Sequence, residues 1–245
     1  MTQERAGQPS SPPLGDTAAI IVAAGSFTRM GGIPKQLVPL AGRPVIAHTV
    51  AAFEKANAIR EIVLVARPEE QEALRSICRE NGFAKVKAIP PGGRTRQESV
   101  AAGLACLSEE AAYYAIHDGA RPLVTPEMID GAIRAARRYR AAAAAVRVKD
   151  TVKIADADGF VESTPDRRRL WSVQTPQVFE ASLYRQAMRE AAEKGLDFTD
   201  DCQLLERMGV RVFLYETDYT NLKITTPEDL PIAERLLQSR KPDGV

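Results

Sequence analysis

The 245-residue sequence is poor in the residues from which many sites are built: it has two histidines, three cysteines and one tryptophan. Cys78, Cys106 and Cys202 are odd in number and lie far apart. They fit neither a disulfide framework nor a zinc-ligand spacing and read as reduced thiols. His48 and His117 stand outside any ligand pattern, and read as a helix residue and a packing residue respectively. An excess of one charge is missing too. With 33 Lys+Arg against 32 Asp+Glu the formal charge is +1, which gives no general footprint for nucleic acid and favours small-molecule partners. No apolar run approaches the roughly 18 residues of a membrane span, and the first sixteen residues lack the apolar stretch of a signal peptide. No membrane partner is expected, and the compartment expected is the cytoplasm.

What is present is an alternation. The stretch up to Asp16, with Pro9, Pro12 and Pro13, has too little apolar surface to offset the entropy of ordering it, so residues 1–16 are expected to be a disordered tail. Short apolar runs follow at 18–25, 61–66, 84–90, 113–118, 142–148 and 210–216, each the length of a strand. Between them, 44–56, 68–81, 96–108, 126–140 and 200–209 place apolar residues three and four apart, as helices do. This order predicts βαβ units in a single α/β domain over 17–238, with a mostly parallel sheet covered by helices on both faces. Polyalanine at 141–145 favours helix by composition; it is assigned to a strand because Arg140 closes the helix before it and Val-Arg-Val follows. Residues 149–179 break the alternation with short alternating runs around Asp-Ala-Asp-Gly, the pattern of a protruding β-hairpin arm. Its Val152, Ile154, Phe160, Val161, Leu170 and Trp171 are more than a lone hairpin can bury, which implies a homodimer.

Chemistry is expected beyond the carboxyl ends of the strands. The loop after the first strand reads AAGSFTRMGGIPKQ: Ala23, Ala24, Gly25 and Ser26 leave the backbone open to phosphates, and Arg29 and Lys35 stand beside it as two cations. The glycines do not make G-x-G-x-x-G, VLVARPEE places no acid for a ribose, and G-x-x-x-x-G-K-[ST] is absent. A dinucleotide-dependent dehydrogenase and a P-loop enzyme are thereby disfavoured. Gly92-Gly93 before Arg94 and Ser99 makes a turn that could read a polar edge, and Asp118 ends the YYAIHD strand where a carboxylate can hold Mg²⁺. Lys223 lies between Leu222 and Ile224 on an extended segment and should point away from both.

The first loop resembles the signature of nucleotidyltransferases that activate sugars and polyols. Together with PGGRTRQESVAAGL, IHDGARPLV, VKDTVK, LWSVQTPQVF, FTDDCQLLE and NLKITTPEDL, it resembles the 2-C-methyl-D-erythritol 4-phosphate cytidylyltransferase family across nearly all the chain after the tail. The resemblance implies a Rossmann-like nucleotidyltransferase fold of GT-A type. It also implies transfer of the cytidylyl group of CTP to a polyol phosphate, in the non-mevalonate isoprenoid pathway, with release of pyrophosphate. The implied roles are these: Arg29, Lys35 and Lys223 act on the phosphates; Ala23, Ala24, Gly25, Ser26, Gly92, Gly93, Ser99 and Gly119 hold the nucleotide; Asp118 serves Mg²⁺ and substrate; Arg121 positions the substrate. Thr151, Arg167 and Thr175 would serve the acceptor phosphate, with Arg167 and Thr175 reaching the neighbouring subunit. Relatives often carry Asp where Arg94 stands. The rival readings are a ribitol 5-phosphate cytidylyltransferase, differing in arm and acceptor pocket, and a silent nucleotide-binding module. The module would be expected to lose a cation or Asp118. With Val245 soon after the last helix, no fused cyclodiphosphate synthase domain is expected.

Overall fold

A computed structural model describes residues 15–25 and 34–240. In chain order the strands and helices are β1 (Thr17–Val22), β2 (Pro39–Leu40), β3 (Arg43–Pro44), α1 (Val45–Lys55), β4 (Ile59–Val65), α2 (Gln71–Glu80), β5 (Val86–Ala88), α3 (Arg96–Leu104), β6 (Tyr113–Asp118), α4 (Pro126–Tyr139), β7 (Ala141–Arg147), β8 (Ile154–Ala155), β9 (Val161–Ser163), β10 (Trp171–Glu180), α5 (Ala181–Glu193), α6 (Asp201–Arg207), β11 (Phe213–Glu216) and α7 (Asp229–Arg240). Seven strands form one sheet in the order β11-β7-β10-β6-β1-β4-β5. Every neighbouring pair is parallel except those of β10, which runs against both β6 and β7. The expected α/β sheet is therefore present.

Burial explains the layering. In β1, Ala19 and Ile21 pack with Ile46 and Phe53 of α1, Leu74 of α2 and Ile129 and Ile133 of α4. Their neighbours Ala18 and Ile20 face the other way, onto Val100 of α3, Tyr184 of α5 and Leu205 of α6. A strand whose two faces are both covered needs apolar residues at every position, and this is why β1 reads as an unbroken run. Each such isoleucine contributes about 1.5–3 kcal/mol on burial. A third cluster joins Leu40, Val45, Leu123 and Ile224 to Ala233 of α7, and seats the segment that carries Lys223.

The polyalanine segment is a strand, with Ala141 to Ala145 fully buried. Arg140 stops α4 in the left-handed conformation, φ 71°, and its carbonyl accepts from the Glu180 amide of β10. Tertiary pairing thus outweighs alanine's helix propensity. The domain's N-terminal boundary differs from expectation. Asp16 belongs to the domain and not to the tail, since its carboxylate accepts from Arg137 Nε at 3.1 Å and from Thr17 Oγ1 at 2.9 Å; residues 1–14 lie outside the described residues. Helix α5 was not expected, although its buried side is regular: Ala181, Leu183, Tyr184, Ala187 and Ala191 all face the core.

The tip of the arm forms, but its expected span of 149–179 runs too far: Trp171–Glu180 is β10 of the central sheet, where Trp171 pairs with Arg147 of β7 and Val178 and Phe179 are fully buried. β8 and β9 pair antiparallel, and Asp156 closes the turn by accepting from the Asp158 and Phe160 amides at 3.0 and 2.9 Å. Phe160 is 73% exposed and Val161 59%.

Candidate active site

The chain passes from β1 to β4 and β5 on one side of the sheet and returns to β6 on the other, so β1 and β6 flank the topological switch point. Such a crevice is where open α/β sheets bind ligands. Register places Val22, the last residue of β1, opposite Asp118, the last of β6. Ala23, Ala24 and Gly25 continue from β1 with the Ala23 amide donating to Val65 O at 2.7 Å. Across from them the Gly92 amide donates to Ala66 O at 2.8 Å, so both loops hang from the end of β4.

Between these loops lies a cleft of about 500 Å³, whose lining includes Ala24, Gly25, Gly92, Gly93, Ser99 and Asp118. Glycine is required at two of these places by space. A Cβ on Gly92 would stand 2.3 Å from Ala24 Cβ, and one on Gly93 2.2 Å from Glu98 Cβ. The turn is fixed from beneath: Ser99 Oγ accepts from the Gly93 amide at 3.1 Å and donates to Thr95 O at 2.9 Å. Thr95 caps α3 by accepting from the Glu98 amide, and Glu98 accepts from the Arg94 amide at 2.6 Å. Arg94, with a side chain 91% exposed, pairs with Glu98 at the rim of the cleft. Gly119 is buried against Ile46 and Ala23, and its amide donates to Val22 O. It shapes the floor from behind, and is not among the residues lining the cleft.

Asp118 is the electrostatic centre. Lys223 Nζ is 2.9 Å from Oδ2, Arg121 Nε 3.3 Å from the same oxygen, and Arg96 Nε 3.8 Å from Oδ1. Burial opposes charge on this carboxylate, but Lys223, Arg121 and Arg96 outweigh it and hold the group well below the usual carboxylate range. Arg121 is itself anchored, donating to Asn221 O at 2.9 Å. Lys223 points away from buried Ile224, as its extended segment predicts, and Ile224 is pinned through its amide to Ala120 O. A second cavity of about 340 Å³ opens beside the first and is lined by Arg121, Val173, Gln174, Thr175, Gln177, Thr199 and Asp200. Arg96, Asp118 and Lys223 line both cavities and mark their junction.

A bulge in β10 brings Thr175 here. Val173 pairs with Ala145 and Gln177 with Ala143, leaving Gln174, Thr175 and Pro176 opposite Ala144. The Thr175 hydroxyl accepts from the Asp118 amide at 3.1 Å and lies 2.9 Å from His117 Nδ1. His117 is fully buried against Phe53, 4.9 Å between ring centroids, and burial pushes it down to about 3, so it stays neutral.

Residues 17–239 match the family described as IspD, 2-C-methyl-D-erythritol 4-phosphate cytidylyltransferase. The chain belongs to this family. The 2-C-methyl-D-erythritol 4-phosphate cytidylyltransferase of Caldanaerobacter subterraneus subsp. tengcongensis is 49% identical over 229 residues, covering 91% of this chain and 99% of that one. The protein of the same name from Desulforamulus reducens is 47% identical, covering 93% and 98%. The solved 4-diphosphocytidyl-2C-methyl-D-erythritol synthase of Anaerococcus prevotii superposes with a TM-score of 0.82 at 32% identity, over 91% of this chain and 96% of that one.

In this member of the IspD family the expected site is largely one place. Ala24, Gly25, Gly92, Gly93, Ser99, Asp118, Arg121, Thr175 and Lys223 line the two cavities. Ala23 is buried beneath the first loop, and its carbonyl accepts from Gln36 Nε2 at 2.7 Å. Lys35 is partly buried beside Gln36, in the turn that this bond ties to the end of β1. Ser26 and Arg29 lie outside the described residues. Thr151 and Arg167 are exposed on the arm and line neither cavity, and Arg167 donates to Lys149 O at 2.8 Å. One expectation changes. Thr175 is only 4% exposed and serves its own chain's Asp118, so it cannot reach into a neighbouring subunit. Glu69 and Arg67 also line the first cleft. Arg96 was the residue missed. Its signal was the Thr95-Arg96-Gln97-Glu98 capping spacing, which sets a cation on the first turn of a helix facing the cleft.

Proposed function

We propose that the junction of the two cavities is where CTP and 2-C-methyl-D-erythritol 4-phosphate meet. CTP occupies the cleft between the Ala24 and Gly92 loops, and the acceptor enters the smaller cavity beside Thr175. An oxygen of the acceptor's phosphate forms a bond to the α-phosphorus of CTP as the bond to the leaving pyrophosphate oxygen breaks. The products are 4-diphosphocytidyl-2-C-methyl-D-erythritol, an intermediate of isoprenoid synthesis, and pyrophosphate. The observation that carries the reading is the sharing of Arg96, Asp118 and Lys223 by both cavities.

The chemistry suits these residues. A phosphate monoester is already anionic at neutral pH, so the attack needs no strong general base, and neutral, buried His117 is not asked to act as one. The demand is for positioning and for cations where charge develops. Lys223 and Arg121 are held in place by Asp118, and Arg29 and Lys35 would meet the triphosphate from the first loop.

A divalent cation fits the donor set. Oδ2 of Asp118 is occupied by Lys223 and Arg121, whereas among the described residues Oδ1 has only Arg96 at 3.8 Å, too long for a hydrogen bond. One carboxylate oxygen with substrate phosphates and water is the usual Mg²⁺ environment, and no cluster of three or more His, Cys, Asp or Glu is found among the described residues. When bound, Mg²⁺ would neutralise phosphate charge. The exposed Ile154, Phe160 and Val161 support a homodimer formed through the arm, which would bring Arg167 to the partner's acceptor cavity. No described helix is long and apolar enough to cross a membrane.

Pyrophosphate release from CTP and Mg²⁺, with methylerythritol phosphate or ribitol 5-phosphate as acceptor and mass spectrometry of the product, tests the reading. Turnover with the first acceptor only is expected. Turnover with ribitol 5-phosphate at a comparable rate would overturn the acceptor assignment.

A further inference from the structure

Behind the junction lies a buried polar chain whose inner members, Asp201 and Tyr184, line neither cavity. Asp201, on the first turn of α6, is 2% exposed. One of its carboxylate oxygens accepts from Arg96 Nη1, the other from the Tyr184 hydroxyl at 2.5 Å. Tyr184 is fully buried, its ring stacked on Phe179 at 5.1 Å and edge-on to Tyr114 at 6.3 Å. The line Tyr184, Asp201, Arg96, Asp118 thus runs from the core of the α3, α5, α6 layer to the point where the cavities meet.

A carboxylate buried this deeply is costly unless it is paired and hydrogen-bonded, and Asp201 does not line either cavity. Its effect falls on Arg96. A guanidinium is a planar fork, and fixing one edge against Asp201 sets the direction of the other. That other edge faces Asp118, with Nε 3.8 Å from Oδ1, and Arg96 borders both cavities. We propose that Asp201 and Tyr184 are positioning residues that aim the Arg96 guanidinium at the junction, where Arg96 contacts the phosphate oxygens that change partners. This rests on the reaction proposed above. Charge on Arg96 is secure: burial opposes it, but Asp201 and Asp118 together raise the group above its ordinary value.

The experiment compares kcat and both KM values for the wild-type enzyme, Asp201→Asn, Tyr184→Phe, Arg96→Ala and the two doubles with Arg96→Ala. Asp201→Asn is isosteric but no longer anionic, and misaiming a cation at reacting phosphates costs roughly ten- to a hundredfold in kcat. Tyr184→Phe keeps the ring stack and loses one hydrogen bond, which predicts a loss of about two- to tenfold. In the Arg96→Ala background both substitutions should lower kcat by less than about twofold, because the group they aim is gone. A merely structural role would not give that result. Equal losses in the two backgrounds, or an Asp201→Asn enzyme with unchanged kcat, would overturn the proposal. If Asp201→Asn fails to fold, the Tyr184→Phe pair decides by the same comparison. Failure of the reaction reading is separate, since the wild-type enzyme would then release no pyrophosphate with methylerythritol phosphate.

Discussion

Adding one methyl group at Gly92 tests how the nucleotide cleft is built. In a Gly92→Ala chain the added Cβ would fall 2.3 Å from Ala24 Cβ and 2.9 Å from Ser99 Oγ. Carbon atoms rest about 3.5–4.0 Å apart, so the two loops must separate by about 1 Å or more. Neither loop is free to do so cheaply, since the Ala23 and Gly92 amides are both bonded to the end of β4. Overpacking of this kind costs about 1–3 kcal/mol, and a displacement near 1 Å at reacting groups can cost on the order of a hundredfold in rate. Gly92→Ala is therefore expected to lower kcat/KM for CTP by roughly a hundredfold, with the acceptor's KM nearly unchanged because the second cavity lies across Asp118. Initial rates at varied CTP and fixed saturating acceptor measure this. Adding Ala24→Gly to the same chain removes the nearest obstacle and should restore part of the loss, leaving the Ser99 contact. A Gly92→Ala enzyme within twofold of wild type, or a double variant no better than the single, would refute the claim that the cleft is set by this contact.

Three further outcomes are expected. Lys35→Ala should lower kcat by about a hundred- to a thousandfold with little change in the KM for CTP, because one cation acting on developing charge is worth roughly 3–4 kcal/mol; steady-state kinetics separate the two parameters. Asp118→Asn should lose a stabilisation that wild type loses only in acid: the folded carboxyl lies below its ordinary value of 3.8, so the contribution is complete above that pH and vanishes as pH falls through the folded value. Thermal melts of the pair should differ by several degrees at pH 7, and the gap should begin to narrow only as pH falls below the ordinary 3.8; parallel curves down to the lowest pH at which the fold survives would show that the charge is not the cause. Arg167→Ala should raise the acceptor's KM with CTP affinity intact, by charge-assisted bonds worth about 1.5–3 kcal/mol, and a mixed dimer with Lys35→Ala should regain one complete site. Confirmed subunit exchange with no recovery of activity would place Arg167 outside the partner's site.

Most of the sheet was legible because its strands are covered on both faces, which forces apolar runs such as AAIIVA and EIVLVA. Asp118 was legible for a related reason: a carboxylate closing such a run must emerge at the sheet's edge. The position of Thr175 was not, since it depends on a three-residue bulge in β10 that no local pattern announces. Helix α5 went unexpected even though Leu183, Tyr184, Ala187 and Ala191 recur at helical spacing on its buried face. Arg96 was hidden by company. It sits among Arg94, Glu98 and other charges that composition reads as solvated, and only the fold shows that its guanidinium turns inward to Asp201 while Arg94 turns out.

The proposed transfer is a direct attack by the acceptor's phosphate on the α-phosphorus, with cations and positioning in place of an enzyme nucleophile. Its most direct test is the stereochemical course of transfer from CTP carrying one chiral α-phosphorothioate, read by ³¹P NMR of the diphosphocytidyl product. A single in-line displacement inverts configuration at phosphorus, and inversion is the predicted result. Retention would require two displacements through a cytidylylated enzyme and would rule out direct attack.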